Sequence, residues 1–118
     1  MPFNAAGLVD PKDIDQIGLW STNPGLGASP AAGEISGSPY ARRGATLVNS
    51  GGGVYNFSAD IEFDIPTGSD QTVAFVALFK SGTYRGYYST TNKTYTGSAS
   101  SRKYTVDAET SGVMFVNP

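Results

Sequence analysis

Acidic side chains at alternate positions open the chemistry this chain could perform. Asp60, Glu62 and Asp64 form a short acidic row, and residues of this type can bind calcium or act as a general acid and base. A calcium loop needs a tight turn that gathers several oxygens, whereas a straight strand spreads same-face residues about 7 Å apart. The row therefore reads as the wet face of a strand, and Asp13 and Asp15 read likewise as surface groups. The chain has no His and no Cys. The commonest general base, the commonest metal ligand and the strongest side-chain nucleophile are missing together. No catalytic residue, metal ligand or cofactor site is expected, and the chain does not read as an enzyme.

Other groups suit contact. Asn23-Pro24-Gly25-Leu26-Gly27 lacks both the third Gly and following helix of a dinucleotide fingerprint and the Lys-Ser/Thr ending of a phosphate loop, so it reads as turn chemistry. Tyr84, Tyr87, Tyr88 and Tyr95 crowd one segment. Tyr84, Tyr87 and Tyr88 could stack on a sugar or pack on a protein partner, since a Tyr ring buries while its hydroxyl stays bonded; Tyr is equally a good strand residue. Tyr40-Ala41-Arg42-Arg43 is the densest positive spot. Its arginines could grip a neighbour's carboxylates or pair locally.

These residues need a scaffold, and composition defines it. The 118 residues include 15 Gly, 7 Pro, seven Tyr and six Phe, with only 15% charged. That profile suits strands and tight turns in a single domain. The net charge of −2 carries no basic nucleic-acid footprint. No apolar run approaches the length of a membrane helix, and no signal peptide is evident, so synthesis in the cytoplasm is expected.

Along the chain, residues 1–16 read as an extended N-terminal arm bearing Phe3, Leu8 and Val9, with a short helical start at Asp10-Pro11-Lys12-Asp13. The arm either reaches a partner or lies across its own sheet. Residues 17–118 read as the β-domain. Residues 17–21 form the first strand, and residues 23–38 form a long loop that is functional or packed as an ordered excursion. Residues 60–65 alternate cleanly, with Ile61, Phe63 and Ile65 inward. Residues 72–79 are apolar at almost every position and read as a central strand covered on both faces. Residues 83–95 read as one strand, a bend near Asn92 and part of another. Residues 103–107 alternate again, and an apolar tail carries Phe115. The expected fold is all-β, a small antiparallel β-sandwich or flattened barrel.

The pieces together resemble a known pattern. Met1-Pro2-Phe3-Asn4-Ala5-Ala6-Gly7-Leu8, then Ile17-Gly18-Leu19-Trp20-Ser21-Thr22-Asn23-Pro24, then Gly33-Glu34-Ile35-Ser36-Gly37-Ser38-Pro39-Tyr40-Ala41-Arg42-Arg43, then Phe63-Asp64-Ile65-Pro66 and residues 73–79, are similar to a family of small virion proteins of actinobacterial phages. Its members are described as tail fibre, minor tail, minor capsid or head decoration proteins. Tyr40-Ala41-Arg42 after the Glu-x-Ser-Gly turn is the most specific part. Many relatives have a longer amphipathic helix before the first strand, where only a short turn fits here. The resemblance implies a structural protein without catalytic residues. It implies a virion location on the capsid surface and the phage major capsid protein as partner, with a homo-oligomer also open. Nucleic acid and membrane are not expected partners. Phe3, Leu8, Val9, Tyr40, Arg42, Arg43 and Phe115 are the candidate contact residues. A tail-associated protein that binds host glycan through Tyr84, Tyr87 and Tyr88 is the alternative.

Overall fold

In the computed structural model, residues 3–5, 11–37, 40–51, 54–66, 68–97, 103–108 and 113–114 are described. The fold is all-β and antiparallel, as the sequence predicts. The main sheet has five strands: β1 (Phe3–Ala5), β2 (Gln16–Trp20), β3 (Arg43–Gly44), β7 (Gln71–Lys80) and β8 (Thr83–Tyr95), in the order β1-β8-β7-β2-β3. A three-stranded sheet pairs β4 (Leu47–Gly51), β5 (Val54–Phe57) and β10 (Val113–Met114), in the order β10-β5-β4. A two-stranded sheet pairs β6 (Ile61–Asp64) with β9 (Lys103–Val106).

Alternation builds the main core. Ile17, Leu19, Val76, Leu78 and Tyr88 project from the five-stranded sheet, and Leu47, Phe57, Ile61, Phe63 and Val106 meet them from the smaller sheets. Each large apolar side chain removed from water here contributes roughly 1.5–3 kcal/mol. β6 behaves as its pattern requires: Ile61 and Phe63 are buried, Glu62 is exposed and Asp64 is half-buried.

β7 is the central strand the apolar run predicts, lying between β8 and β2. Val76 and Leu78 enter the main core, while Ala77 and Phe79 enter a second cluster with Trp20 and Tyr84. The sheet is therefore apolar on both faces. Its second face is covered by residues 21–37 and 40–42, which hold the described part of the long loop as an ordered excursion. The loop follows the edge of β2: Ser21 N–H donates to Gly33 O at 2.9 Å, and Ile35 N–H donates to Leu19 O at 3.0 Å. These bonds occupy backbone groups that an edge strand would otherwise expose.

Residues 83–95 form one continuous strand of 13 residues rather than two pieces, but its pairing with β7 is irregular at Thr90–Asn92, between Phe75↔Ser89 and Val73↔Lys93, where the sequence predicts a bend. The turn after Lys80 starts a long hairpin with β7, and irregular register absorbs the mismatch without ending the strand. Between the pairs Leu78↔Gly86 and Phe79↔Tyr84, β8 holds one extra residue, Arg85. Gly86 takes φ 136 at this bulge, a conformation few side chains tolerate.

The N-terminal segment lies against the domain where it is described. β1 is an edge strand, with Phe3 opposite Tyr88 and Ala5 opposite Gly86. Pro11–Asp13 form a single 3-10 turn where the sequence predicts a short helical start. Ile14 then enters the main core. The Asp15 carboxylate accepts the Ser81 N–H at 3.1 Å, holding the β7–β8 turn where Ser81 has φ 48.

Candidate functional site

The second face of the main sheet concentrates the unusual chemistry. β2 presents Trp20, β7 presents Phe79 and β8 presents Tyr84, the last turned to this face by the Arg85 bulge. Phe79 lies 5.9 Å from Trp20 and 5.7 Å from Tyr84, ring centre to ring centre. Such spacings suit tilted aromatic packing.

Arg42 lies on this aromatic floor. Its guanidinium carbon sits 4.0 Å from the Phe79 ring centre and 5.7 Å from that of Trp20. Its Nε and Nη2 donate to the two carboxylate oxygens of Glu34 at 2.9 and 3.0 Å. The pair is bidentate and less than one-third exposed, at 31% for Arg42 and 26% for Glu34. The bond to Glu34 holds the Arg42 proton more tightly than usual.

Tyr40 completes the set. Its hydroxyl donates to Glu34 Oε2 at 2.8 Å and accepts the Leu19 N–H at 2.9 Å. A side chain thereby fills a gap on the β2 edge between the backbone partners at Arg43 and Ile35. Burial pushes the Tyr40 phenol well above its ordinary range, and the Glu34 bond adds to the rise, partly offset by the Leu19 N–H. Gly18 makes the approach feasible. A Cβ there would lie 3.0 Å from Glu34 Oε2 and 3.1 Å from both the Tyr40 hydroxyl and the Trp20 ring.

The loop above this floor is braced at several points. Trp20 Nε1–H donates to Ala31 O at 2.8 Å, and the Tyr84 hydroxyl donates to Gly25 O at 2.6 Å. Asn23 Nδ2–H donates to the Tyr87 hydroxyl at 3.1 Å, while Asn23 Oδ1 accepts the Gly25 N–H at 2.8 Å. Asn23 and Gly25 thus supply turn chemistry, as their types predict. Leu26, next in the chain, is 55% exposed. Beside the loop, Ala28, Ser29, Pro30, Arg42, Phe79, Gly82, Thr83 and Tyr84 enclose a cleft of about 290 Å³.

The structure separates the remaining candidates. Tyr84 and Tyr87 share the second face, where Tyr87 packs edge-on against Phe75 at 5.7 Å. Tyr88 enters the main core instead, 1% exposed, and its hydroxyl has no hydrogen-bond partner among the described residues. Burial pushes the phenols of Tyr84 and Tyr88 upward. Of the three rings only Tyr87 is half-open to solvent. Arg42 and Arg43 part company as well. Arg43 leaves the aromatic floor to Arg42 and reaches Asp64 through Nη2 at 3.3 Å. Of the terminal candidates, Phe3 lies in β1 by its backbone, and Leu8, Val9 and Phe115 lie outside the described residues.

The acidic row is spoken for. Lys103 Nζ donates to Glu62 Oε1 at 3.1 Å and Asp64 Oδ1 at 3.0 Å, and Asp60 Oδ1 accepts the Ala108 N–H at 2.9 Å. Among the described residues no group of three or more carboxylates could hold a metal ion, and no helix is long and apolar enough to cross a membrane. Sequence reasoning singled out Tyr40 and Arg42 but not Glu34, Gly18 or Phe79 as their partners. Glu34 stands eight residues before Arg42 in the sequence, across a Gly- and Pro-containing stretch, a spacing that no helix or strand period marks as a contact.

No family model matches this chain, no curated protein matches its sequence and no solved structure matches its fold.

Proposed function

We propose that this chain is a structural phage virion protein, a decoration or minor capsid protein that binds the outer capsid surface and stabilises the shell. Its partner is the phage major capsid protein. One observation carries the reading. Tyr40 and Arg42, from the Tyr40-Ala41-Arg42 element most specific to the resemblance, and Glu34 satisfy one another above an aromatic floor, which supports a fixed surface for contact. Such a surface offers shape and fixed donors and needs no reactive group. The open edges supply a second means of contact: β1 and β10 each end a sheet, and an edge strand can pair with a strand of a neighbour. Contacts that exist only in the assembled shell stabilise it by mass action. The glycan-binding alternative would rest on Tyr87, since Tyr84 and Tyr88 are turned inward.

The test is a deletion of residues 1–9, followed by imaging of particles. β1 contributes only three residues at one edge, so the domain is expected to stay folded while occupancy on the shell falls. Wild-type occupancy by the truncated protein would refute the role of the arm. Finding the protein in a few copies on the tail, instead of many on the head, would refute the decoration reading itself.

A further inference from the structure

Building on the adhesive reading above, we propose that the cleft beside Arg42 is a docking pocket for one acidic side chain, Glu or Asp, of a neighbouring virion protein. Glu34 occupies Nε and Nη2 of Arg42, while Nη1 has no hydrogen-bond partner among the described residues; the side chain lines the cleft. An arginine can bridge two carboxylates because its five N–H donors point along different edges of one plane. Here that plane is already fixed by Glu34 and by the Phe79 ring 4.0 Å away. The side chain therefore loses little freedom on accepting a second carboxylate.

The other lining groups suit the same occupant. The Ser29 and Thr83 side chains add hydroxyl donors, and Pro30, Phe79 and Tyr84 offer apolar walls for a methylene stem. At about 290 Å³ the cleft lies at the bottom of the range for small-molecule pockets, ~300–1,000 Å³, and suits a single side chain. Charge disfavours a phosphate dianion: one cation lines the pocket and Glu34 is already paired with it, so a second negative charge on the occupant would meet repulsion that a single carboxylate avoids. The setting decides in favour of a protein. Leu26 is exposed one residue beyond Gly25, whose carbonyl accepts from the Tyr84 hydroxyl of the cleft wall, so an open apolar side chain follows directly on a residue bonded to that wall. That pairing of an Arg anchor with apolar surface is typical of protein interfaces.

The experiment titrates the full-length, nitrogen-15-labelled chain with acetyl-Gly-Glu-Leu-amide and follows its NMR spectrum. Acetyl-Gly-Gln-Leu-amide is the neutral control and glucuronate the sugar control. The expected result is a saturable shift of the Arg42 Nε–H, Ser29, Thr83 and Tyr84 signals, with the Gln peptide weaker by about tenfold or more. Thr83→Trp fills the cleft from an exposed rim position without altering the Glu34–Arg42 contact, and it is expected to abolish the shift. Equal response to both peptides, no response, shifts confined elsewhere or a response to glucuronate alone would each overturn the proposal. Particles separate this outcome from the broader reading. Undiminished decoration by Thr83→Trp defeats the pocket alone, whereas peptide binding by a protein absent from particles defeats the capsid reading alone.

Discussion

Two ion-pair groups sit in different parts of this molecule, and each joins basic side chains to carboxylates. On the second face of the main sheet, Arg42 meets Glu34 in a flat bidentate pair, stacked on Phe79 and tied through Tyr40 to the β2 backbone. On the outer surface of β6 and β9, Lys103 reaches Glu62 and Asp64, and Asp64 also receives Arg43 from β3. The second group holds more charge contacts, yet its cations are more exposed, at 53% for Lys103 and 42% for Arg43 against 31% for Arg42. Exposed pairs contribute little because water and salt screen them and long side chains lose freedom to form them. The number of charge contacts therefore matters less than what else each charged group holds. Glu34 closes a loop of the chain over a sheet face; Lys103 bridges strands already joined by backbone pairing.

Glu34→Ala has the largest expected effect. It removes the acceptor of both Arg42 and Tyr40 at once and leaves the half-buried guanidinium facing aromatic rings. The expected loss is about 2 kcal/mol, read from the urea midpoint. A local readout accompanies it: hydrogen exchange at the Leu19 amide should accelerate, because its acceptor is the Tyr40 hydroxyl that Glu34 positions. An effect no larger than that of a surface substitution would show that the loop is held by its backbone bonds alone.

The legibility of these two regions in the sequence differs for a physical reason. The β6 surface could be read directly, because Ile61, Glu62, Phe63 and Asp64 alternate and a strand has a period of two. β7 could be read as a doubly covered strand from its unbroken apolar run, but not what covered its second face. The cover is residues 21–37 and 40–42, whose course depends on distant bonds such as Trp20 to Ala31 and Tyr84 to Gly25, and no local period encodes them. Parity itself misleads along β8. Tyr84 and Tyr88 are four residues apart and would share a face of a regular strand, yet the Arg85 bulge sends Tyr84 to the second face and Tyr88 to the core. Gly86 was the only local hint of that bulge.

Tyr40→Phe separates the two regions by their response to pH. Burial and the Glu34 bond raise the Tyr40 pKa above its unfolded value near 10.0. Above pH ~10, unfolded chains lose the phenolic proton while the folded protein retains it. The folded state then binds more protons than the unfolded one, so stability falls as pH rises through this window and is unaffected by this group below it. The slope from one such group approaches about 1.4 kcal/mol per pH unit. Tyr40→Phe should therefore flatten the alkaline loss of stability, measured by denaturant midpoints across that window. Tyr84 and Tyr88, also raised by burial, keep part of the slope in the variant. An alkaline limb identical to wild type would mean that the Tyr40 hydroxyl reaches water in the native protein.

Lys103→Ala should have the smallest effect and, for that reason, tests the comparison from its other side. The ammonium is held by Asp64 and Glu62, which raise its pKa, but it stands in solvent on strands fixed by four backbone-paired positions from Ile61↔Val106 to Asp64↔Lys103. Removing it leaves Glu62 and Asp64 free to hydrate and leaves Asp64 with Arg43. The expected change in thermal midpoint is well below that of Glu34→Ala, and it should shrink further at ~1 M salt, where screening acts over about 3 Å. The Glu34→Ala loss should persist at the same salt, since its bidentate contact is largely shielded from solvent. If salt erased both losses alike, the Glu34–Arg42 pair would be an ordinary surface pair, and its special place in the fold would reduce to the loop's own backbone bonds.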